Sequence, residues 1–456
     1  MATQLPDRRR FIKHSAVTAL AAPYFLTAKR AGAEDEPGER PPAANDRLNV
    51  AAIGVGGRGT GIGHQAGDLG NMVACADVHG DNARKFAKKY DGRCEIYEDY
   101  RRILDRNDVD AITCGTPDHW HTKISIDAMG AGKDVYCEKP LTLTLDESRQ
   151  ICDIAKQTGR VFQVGTQQRS ECNQYFLKAI VIARSGRLGD KLHALSSVGT
   201  ATAGGPFPTE SPPPALNWDF WLGQTPAVDF CPQRIGWDFR WWLEYSGGQV
   251  TDWGVHHTDI ALWALGGEAT GVVEAEGRGV FPGLPYTMNV LDFLNGRAKL
   301  PQQYNVAREF DCNLALPNGN TINLVSRSNE LIIEGEKGKI RVNRGSLTGK
   351  PVEEIEASET DRAWLDEEVK KLYRNMPLGQ KLQHMNNFFH CVKTREKPIS
   401  DVWTHCNSVN ACHLANVAML LKRKVRFDLE KYGFVDDDEA DLFVRREQRS
   451  PWQITG

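Results

Sequence analysis

The sequence predicts an α/β fold, with an N-terminal doubly wound parallel sheet and a C-terminal α+β domain built on a largely antiparallel sheet. Three observations carry this. An apolar, β-branched run, Leu48, Val50, Ala51, Ala52 and Ile53, ends directly in a glycine-rich turn and a helix-like stretch. From there to Val164, strand-like and helix-like runs alternate, as parallel βα units do. Beyond Val272, short strand-like runs are separated by turns such as Asn318-Gly319 and Lys337-Gly338, which favour antiparallel pairing.

The chain opens with Arg8-Arg9-Arg10-Phe11-Ile12-Lys13, a short and mostly apolar run over residues 15–26, and Ala31-Gly32-Ala33, a small-x-small site. This resembles a twin-arginine export signal. The apolar run is shorter than the roughly 20 residues a stable membrane span needs. Residues 1–33 are therefore expected to be a signal peptide for export to the periplasm. The Pro-, Gly- and charge-rich residues 34–46 read as a linker. At 456 residues, 41% hydrophobic and 25% charged, the chain has enough apolar sequence for two domains, set at 47–168 and 169–427, with a tail over 428–456.

Residues 1–33 hold six Lys/Arg and one acid, so the remainder carries 50 basic against 58 acidic residues, a net charge of −8. That argues against a nucleic-acid partner, whose phosphates demand a basic face. The 11 cysteines are an odd number without a CxxC pair. Several (Cys75, Cys114, Cys137, Cys152) lie in apolar runs, so they read as small core residues and not as a disulfide framework. Nothing beside Cys137 marks it as a nucleophile.

The first run reads as a strand buried on both faces that feeds Gly54-x-Gly56-x-x-Gly59, a dinucleotide-binding turn. Gly54 permits the tight turn, Gly56 removes a side chain that would hold backbone away from a pyrophosphate, and Gly59 lets the helix pack close to the strand. The helix N-terminus, carrying roughly half an elementary positive charge, then faces the phosphates. A second apolar run, residues 72–76, ends in Asp77, 18 residues after Gly59, where an acid can hold ribose hydroxyls. Val78 follows, with no Arg immediately beside it, which favours NAD over NADP because a 2′-phosphate would face that carboxylate.

The alternation then continues. Helical periodicity over residues 81–90 gives way to a strand at 95–97, a helix at 100–106, a strand at 110–114, a helix at 124–131, a strand at 134–137, a helix at 146–158 and a strand at 161–164. Ligands of such sheets bind beyond the carboxyl ends of the strands. Two motifs fall there: Thr116-Pro117-Asp118-His119-Trp120-His121 and Glu138-Lys139-Pro140.

GVGGRG over residues 54–59, then Asp77, TPDHWH and EKP, at these intervals, closely resemble the Gfo/Idh/MocA family of glucose-fructose oxidoreductase, inositol dehydrogenase and rhizopine catabolism, over residues 48–427. The resemblance implies a Rossmann-type domain whose Gly54, Gly56, Gly57, Arg58, Gly59 and Asp77 hold NAD. By the same resemblance Glu138 and Lys139 lie at the nicotinamide ribose and substrate, Pro140 follows a cis bond, and Thr116, Pro117 and His121 line the cofactor cleft. Physically, a lysine beside a pyridinium is a donor of lowered proton affinity that can hydrogen-bond a reacting hydroxyl.

The second domain begins after Gly165-Thr166-Gln167-Gln168-Arg169, where Gln167 is assigned to the cofactor and Arg169 to the substrate. A helix over 174–184 and a strand over 192–198 lead into residues 201–214, a Gly- and Pro-rich loop or lid. Seven of the 11 Trp fall between Trp218 and Trp263. Such faces stack on the C–H face of a pyranose, or simply fill core. Residues 247–259, GGQVTDWGVHHTD, place Asp252 and His256 four apart, hence on one helix face. A carboxylate beside an imidazole orients it and stabilises its cation, as a general base requires. The family pattern GGxxxDxxxH assigns Asp252 as the orienting acid and His256 as the acid/base. Trp253 and His257 are placed with the substrate, although His257 equally suits packing. Asp252, His256, His257, His119 and His121 are zinc-type ligands, but without HExxH or a Cys cluster no metal is assigned.

The remainder reads as scaffold: strands at 272–280, 288–293, 310–316, 321–326, 331–334 and 339–342, then helices at 359–373, 379–393 and 405–422, the last returning to the first domain. His405 and His413 on it are expected to be hydrogen-bonded structural residues. The resemblance implies a homo-oligomer, dimer or tetramer, formed through the open sheet face. Three functions are compatible. One is an exported oxidoreductase with tightly held NAD, acting on a secondary hydroxyl of a sugar or polyol. A second is an NAD-dependent glycoside hydrolase working through a transient 3-keto sugar. The third, a sugar-binding protein without catalysis, is disfavoured because every proposed catalytic position is filled.

Overall fold

A computed structural model of the protein describes residues 47–374 and 376–455, so the expected signal peptide and linker lie outside the described residues. Six strands, β1 (Asn49–Ile53), β2 (Asn71–Ala76), β3 (Glu95–Tyr97), β4 (Ala111–Cys114), β5 (Asp134–Cys137) and β6 (Phe162–Val164), form a parallel sheet in the order β3-β2-β1-β4-β5-β6. Strand order reverses between β1 and β4, and a crevice opens at such a switch point. Alternate residues enter two cores because the side-chain period of a strand is two. Ala51, Ile53, Ile112, Cys114, Val135 and Cys137 pack with Ile124, Ile126 and Ile151, from the helices Asp118–Gly130 and Leu145–Thr158. Val50, Ala52, Met72, Cys75 and Tyr136 face the opposite core, which continues into the second domain.

That domain holds β7 (Leu192–Val198), β8 (Glu274–Val280), β9 (Glu309–Ala315), β10 (Thr321–Ser326), β11 (Glu330–Gly335), β12 (Gly338–Val342), β13 (Leu347–Thr348), β14 (Val425–Asp428) and β15 (Gly433–Phe434), in the order β13-β12-β11-β7-β10-β9-β8-β14-β15. All its pairs are antiparallel except β7 with β10. The helix Val402–Leu421 crosses back to the first domain, where His413 Nε2 lies 3.2 Å from Thr142 Oγ1. His405, expected to be satisfied, is buried with neither ring nitrogen bonded, and burial pushes its pKa down to about 4. Among the described residues no helix is long and apolar enough to cross a membrane.

Three local expectations change. Residues 288–293 read as a strand, but Val290–Leu294 is a helix, because Asn289 Oδ1 caps it by accepting from the Leu291 and Asp292 amides. The helix expected from Ile124 begins at Asp118, with Pro117 as its N-cap residue, so TPDHWH is a helix start and not a loop. The stretch set apart as a tail packs on that same helix and on the helix Trp218–Leu222: Trp452 meets Trp120 edge-on at 5.8 Å and stacks on Phe220 at 4.5 Å. The tryptophan-rich stretch builds its own core, in which Trp221, Trp241 and Trp242 pack with Phe239, Tyr245, Phe293 and Tyr304.

Gly54 has φ +72°, open to glycine at little cost, and a Cβ at Gly59 would lie 1.8 Å from the Gly54 carbonyl oxygen. Gly59→Ala is therefore expected to lower the thermal midpoint and strip nucleotide from the purified protein. Gly61→Ala, inside the helix Gly57–Leu69 and 3.9 Å from its nearest neighbour, is expected to stabilise by about 0.5–1 kcal/mol. Thermal unfolding of the two variants side by side checks both.

Candidate active site

The ends of the first sheet open into a cavity of about 700 Å³, within the roughly 300–1,000 Å³ usual for ligand sites. On the sheet side it is lined by Gly54, Gly56, Gly57, Arg58, Asp77, Thr116, Pro117, His121, Glu138, Lys139 and Gln167, and from the second domain by Arg240, Asp252, Trp253, His256 and Arg344. Gly59 stands behind this wall, packed on Gly54. The helix Gly57–Leu69 has no side-chain cap at Gly56, which leaves backbone N–H groups for an anion. Asp77 accepts from the Val55 amide at 2.9 Å and the His79 amide at 2.8 Å, which fixes its carboxylate at the cavity edge with lone pairs to spare. Burial pushes this carboxyl up, against those bonds. An uncapped helix start, a side-chain-free turn and an acid at the end of β2 fit a dinucleotide.

The two motifs are tied to one another. His121 Nδ1 lies 2.7 Å from the Pro140 carbonyl and its Nε2 2.9 Å from that of Thr116, and the Lys139–Pro140 bond is cis. Glu138 Oε1 accepts from Arg58 Nε at 2.9 Å and from Gln167 Nε2 at 2.9 Å. Lys139 Nζ donates across to the second domain, to Asp252 Oδ1 at 2.6 Å and to the Asp252 carbonyl at 2.9 Å. Arg240 Nε stands 3.3 Å from the same carboxylate oxygen. Burial pushes the Asp252 carboxyl up, but Lys139 and Arg240 hold it below the ordinary range.

Asp252 therefore does not orient His256, as the four-residue spacing suggests. The helix breaks at Trp253, between Gln249–Asp252 and Gly254–Ala264, and the His256 amide bonds back to the Trp253 carbonyl at 3.1 Å. The turn tightens, the two side chains do not stack, and two cations claim the carboxylate. His256, 3% exposed, instead has Arg344 Nη2 at 3.4 Å from its Nε2, while its Nδ1 has no partner. Burial, then Lys139 and Arg344, push its pKa well below the usual value, so the imidazole is neutral at pH 7.

Arg169 does not reach the cavity. Its guanidinium is 2% exposed and forked onto Asp259 by two bonds of 2.6 Å, with a third to the Ile399 carbonyl at 3.0 Å. It cross-braces the domain because no buried arginine is stable without such partners. His257 also turns away: its Nε2 lies 2.7 Å from Asn329 Oδ1, and burial lowers its pKa to about 4. His119 Nε2 is taken by the Trp221 carbonyl and Asp252 by Lys139, while His121 stands with Cys114 and Cys137, their ligand-type atoms within 4.8 Å of one another and all three buried. Two residues are not singled out by the sequence. Asp118 was visible only as a letter in TPDHWH, yet it lines the cavity at 3% exposure with Oδ2 unbonded, and burial pushes its carboxyl up to about 7. Arg344 carries no motif, whereas Arg240 stands among the tryptophans of residues 237–242, where an arginine is expected to bond sugar hydroxyls, and it does line the cavity.

The glycine turn, the uncapped helix and Asp77 at a strand-order reversal, facing an acid, an imidazole and guanidinium groups from a second domain, define a two-domain dinucleotide-binding protein. Residues 48–166 match the family model for the Gfo/Idh/MocA oxidoreductases, NAD-binding Rossmann fold, and residues 203–278 and 358–454 match that family's C-terminal α/β domain. The chain belongs to the Gfo/Idh/MocA oxidoreductase family. It is similar to an inositol 2-dehydrogenase of Gluconacetobacter diazotrophicus, 32% identical over 47% of this chain and 55% of the relative. It is likewise similar to a glycosyl hydrolase family 109 protein of a Shewanella species, 31% identical over 41% and 44%. The chain spans about a third to just over half the length of the curated relatives it matches. Its fold is shared with the aldose-aldose oxidoreductase of Caulobacter crescentus, at TM-score 0.57 and 18% identity over 84% of this chain and 100% of that one.

Two outcomes follow from the electrostatics. Lys139→Met removes one of the cations that keep His256 unprotonated, so its titration midpoint, followed by the imidazole C–H resonance, is expected to rise; an unmoved midpoint contradicts the assignment. Arg169→Met strands a buried Asp259 and is expected to cost about 3–5 kcal/mol, read from denaturation, with the nucleotide content of the surviving folded protein unchanged.

Proposed function

We propose that the protein is an NAD-dependent oxidoreductase acting on a secondary hydroxyl of a sugar, polyol or glycoside. The single observation that carries this is the meeting of Lys139, from the dinucleotide half, with Asp252 and His256, from the sheet half, in one cavity. Gly54, Gly56, Gly57 and Gly59 suit the pyrophosphate and Asp77 the ribose, whose 2′-hydroxyl, and not a 2′-phosphate, matches a carboxylate. When bound, the nicotinamide supplies the hydride acceptor. Lys139 spends two of its three ammonium hydrogens on Asp252 and directs the third to the substrate oxygen. His256 is neutral, and its Nε2, engaged only by the long 3.4 Å contact from Arg344, takes the hydroxyl proton. Trp253 and Trp237 offer ring faces at the cavity to a sugar.

A second reading is favoured by the 31% identity to the family 109 protein. In it the same residues oxidise a glycoside transiently at C3, which acidifies the C2 hydrogen. The aglycone is then eliminated, water adds and the ketone is reduced again, with no net redox. We further infer export through the arginine-rich leader, and a homo-oligomer formed through the open face of the nine-stranded sheet. An exported enzyme meets no free cofactor pool, so tightly held NAD accompanies this reading.

Purified protein is expected to carry close to one nucleotide per chain, measured after acid release; empty protein counts against the proposal. Lys139→Ala should abolish turnover, a loss of at least about 100-fold for a removed proton-handling group, while that nucleotide remains. Nitrophenyl glycosides without added cofactor separate the two readings: aglycone release supports the hydrolase, and reduced nucleotide without release supports the dehydrogenase.

A further inference from the structure

Four basic side chains of the Lys/Arg type line the cavity, and three have an acid at hand. Arg58 meets Glu138 at 2.9 Å, Lys139 meets Asp252 at 2.6 Å, and Arg240 lies 3.3 Å from Asp252. Arg344 differs: among the described residues no carboxylate oxygen comes within 4.0 Å of it. Glu171 lines the same cavity and feels Arg344 electrostatically, but makes no ion pair with it.

Arg344 is nevertheless held in place. It sits on the tight turn between β12 and β13, which Asn343 Oδ1 closes by accepting from the Gly345 amide at 2.8 Å, the Ser346 amide at 2.9 Å and the Ser346 hydroxyl at 3.2 Å. Its guanidinium lies over the Trp253 ring, 4.5 Å from the centroid, and beside His256. Arg344 is exposed, so water solvates it in the free protein, yet it lines the cavity without a carboxylate partner, and the group that matches such a cation best is an anion of the ligand. The planar fork of a guanidinium suits the two oxygens of a carboxylate or phosphate.

We propose that Arg344 is the specificity-determining residue of the substrate end, and that the substrate is a sugar or polyol bearing a carboxylate or phosphate group. The proposal rests on the oxidoreductase reading for the hydroxyl beside it and adds the charge of the substituent. It also gives that charge a task. A proton moving from hydroxyl to His256 makes an imidazolium next to Arg344, and an anion seated on Arg344 removes that repulsion. The anionic substituent thus aids proton transfer as well as binding, and a neutral sugar leaves the opposition in place.

The test is calorimetric titration of nucleotide-loaded protein, at physiological ionic strength, with D-glucuronate, D-galacturonate and D-glucose 6-phosphate against D-glucose and D-galactose. At least one anionic sugar is expected to bind about 10- to 100-fold tighter than its neutral counterpart, the uronate and phosphate arms telling the two anions apart. Arg344→Gln is expected to erase the difference with nucleotide content unchanged, and Arg344→Lys to restore part of it. Equal binding of neutral and anionic sugars, an undiminished preference in Arg344→Gln, or no binding of any anionic sugar overturns the proposal. Formation of reduced nucleotide in the same mixtures is read separately. Selective binding without reduction counts against the oxidoreductase reading and leaves the anion site standing.

Discussion

The ion pair between Lys139 and Asp252 is the constraint on which the arrangement of this molecule turns. The lysine follows β5 of the parallel sheet, and the carboxylate stands in the helix Gln249–Asp252 of the second domain, 113 residues away. Both side chains are nearly excluded from water, at 12% and 4% exposure. A pair so placed offsets the cost of desolvation only through short contacts and further bonds. It has them, because Nζ also reaches the Asp252 carbonyl and Arg240 stands by the carboxylate. One contact thereby joins the halves of the cavity and fixes the position of the Lys139 ammonium.

The electrostatics of the second-domain side of the cavity follow from where that carboxylate went. Asp252 is committed to cations, so His256 has no acid to raise its proton affinity and stays neutral, with burial as the larger cause and two nearby positive charges as the smaller. Asp118, close by and without a bonded partner at Oδ2, is held partly protonated near neutral pH by burial. The cavity thus keeps a neutral base, a fixed ammonium donor and an unmatched guanidinium side by side. Charge that is already placed does not have to reorient when charge develops on a ligand.

The scaffold shields this arrangement from competing interactions. Arg169 with Asp259 and Arg234 with Glu244 are buried pairs remote from the chemistry, each with further hydrogen bonds, and both brace the second domain. The tryptophans divide the same way. Trp242 is fully buried beneath Arg234, whereas Trp237, 63% exposed at the cavity mouth, lies under Arg240. One residue type fills the core and lines the cavity, and burial separates the two.

What the sequence determined by itself was local. The glycine spacing, the βα alternation, Asp77 after β2 and the EKP loop after β5 were legible because turn sterics and side-chain periodicity act over a few residues. Residues 288–293 read as a strand and yet Val290–Leu294 is a helix, because one capping asparagine outweighs a β-like composition. The tertiary structure alone decided which acid met which base. Arg344 reaches His256 across 88 residues and Arg169 reaches Asp259 across 90, and no spacing rule spans such distances. A histidine four residues from an aspartate looks like its partner in one dimension. In three dimensions two cations were nearer, and the electrostatic cost of leaving them unmatched drew the carboxylate away.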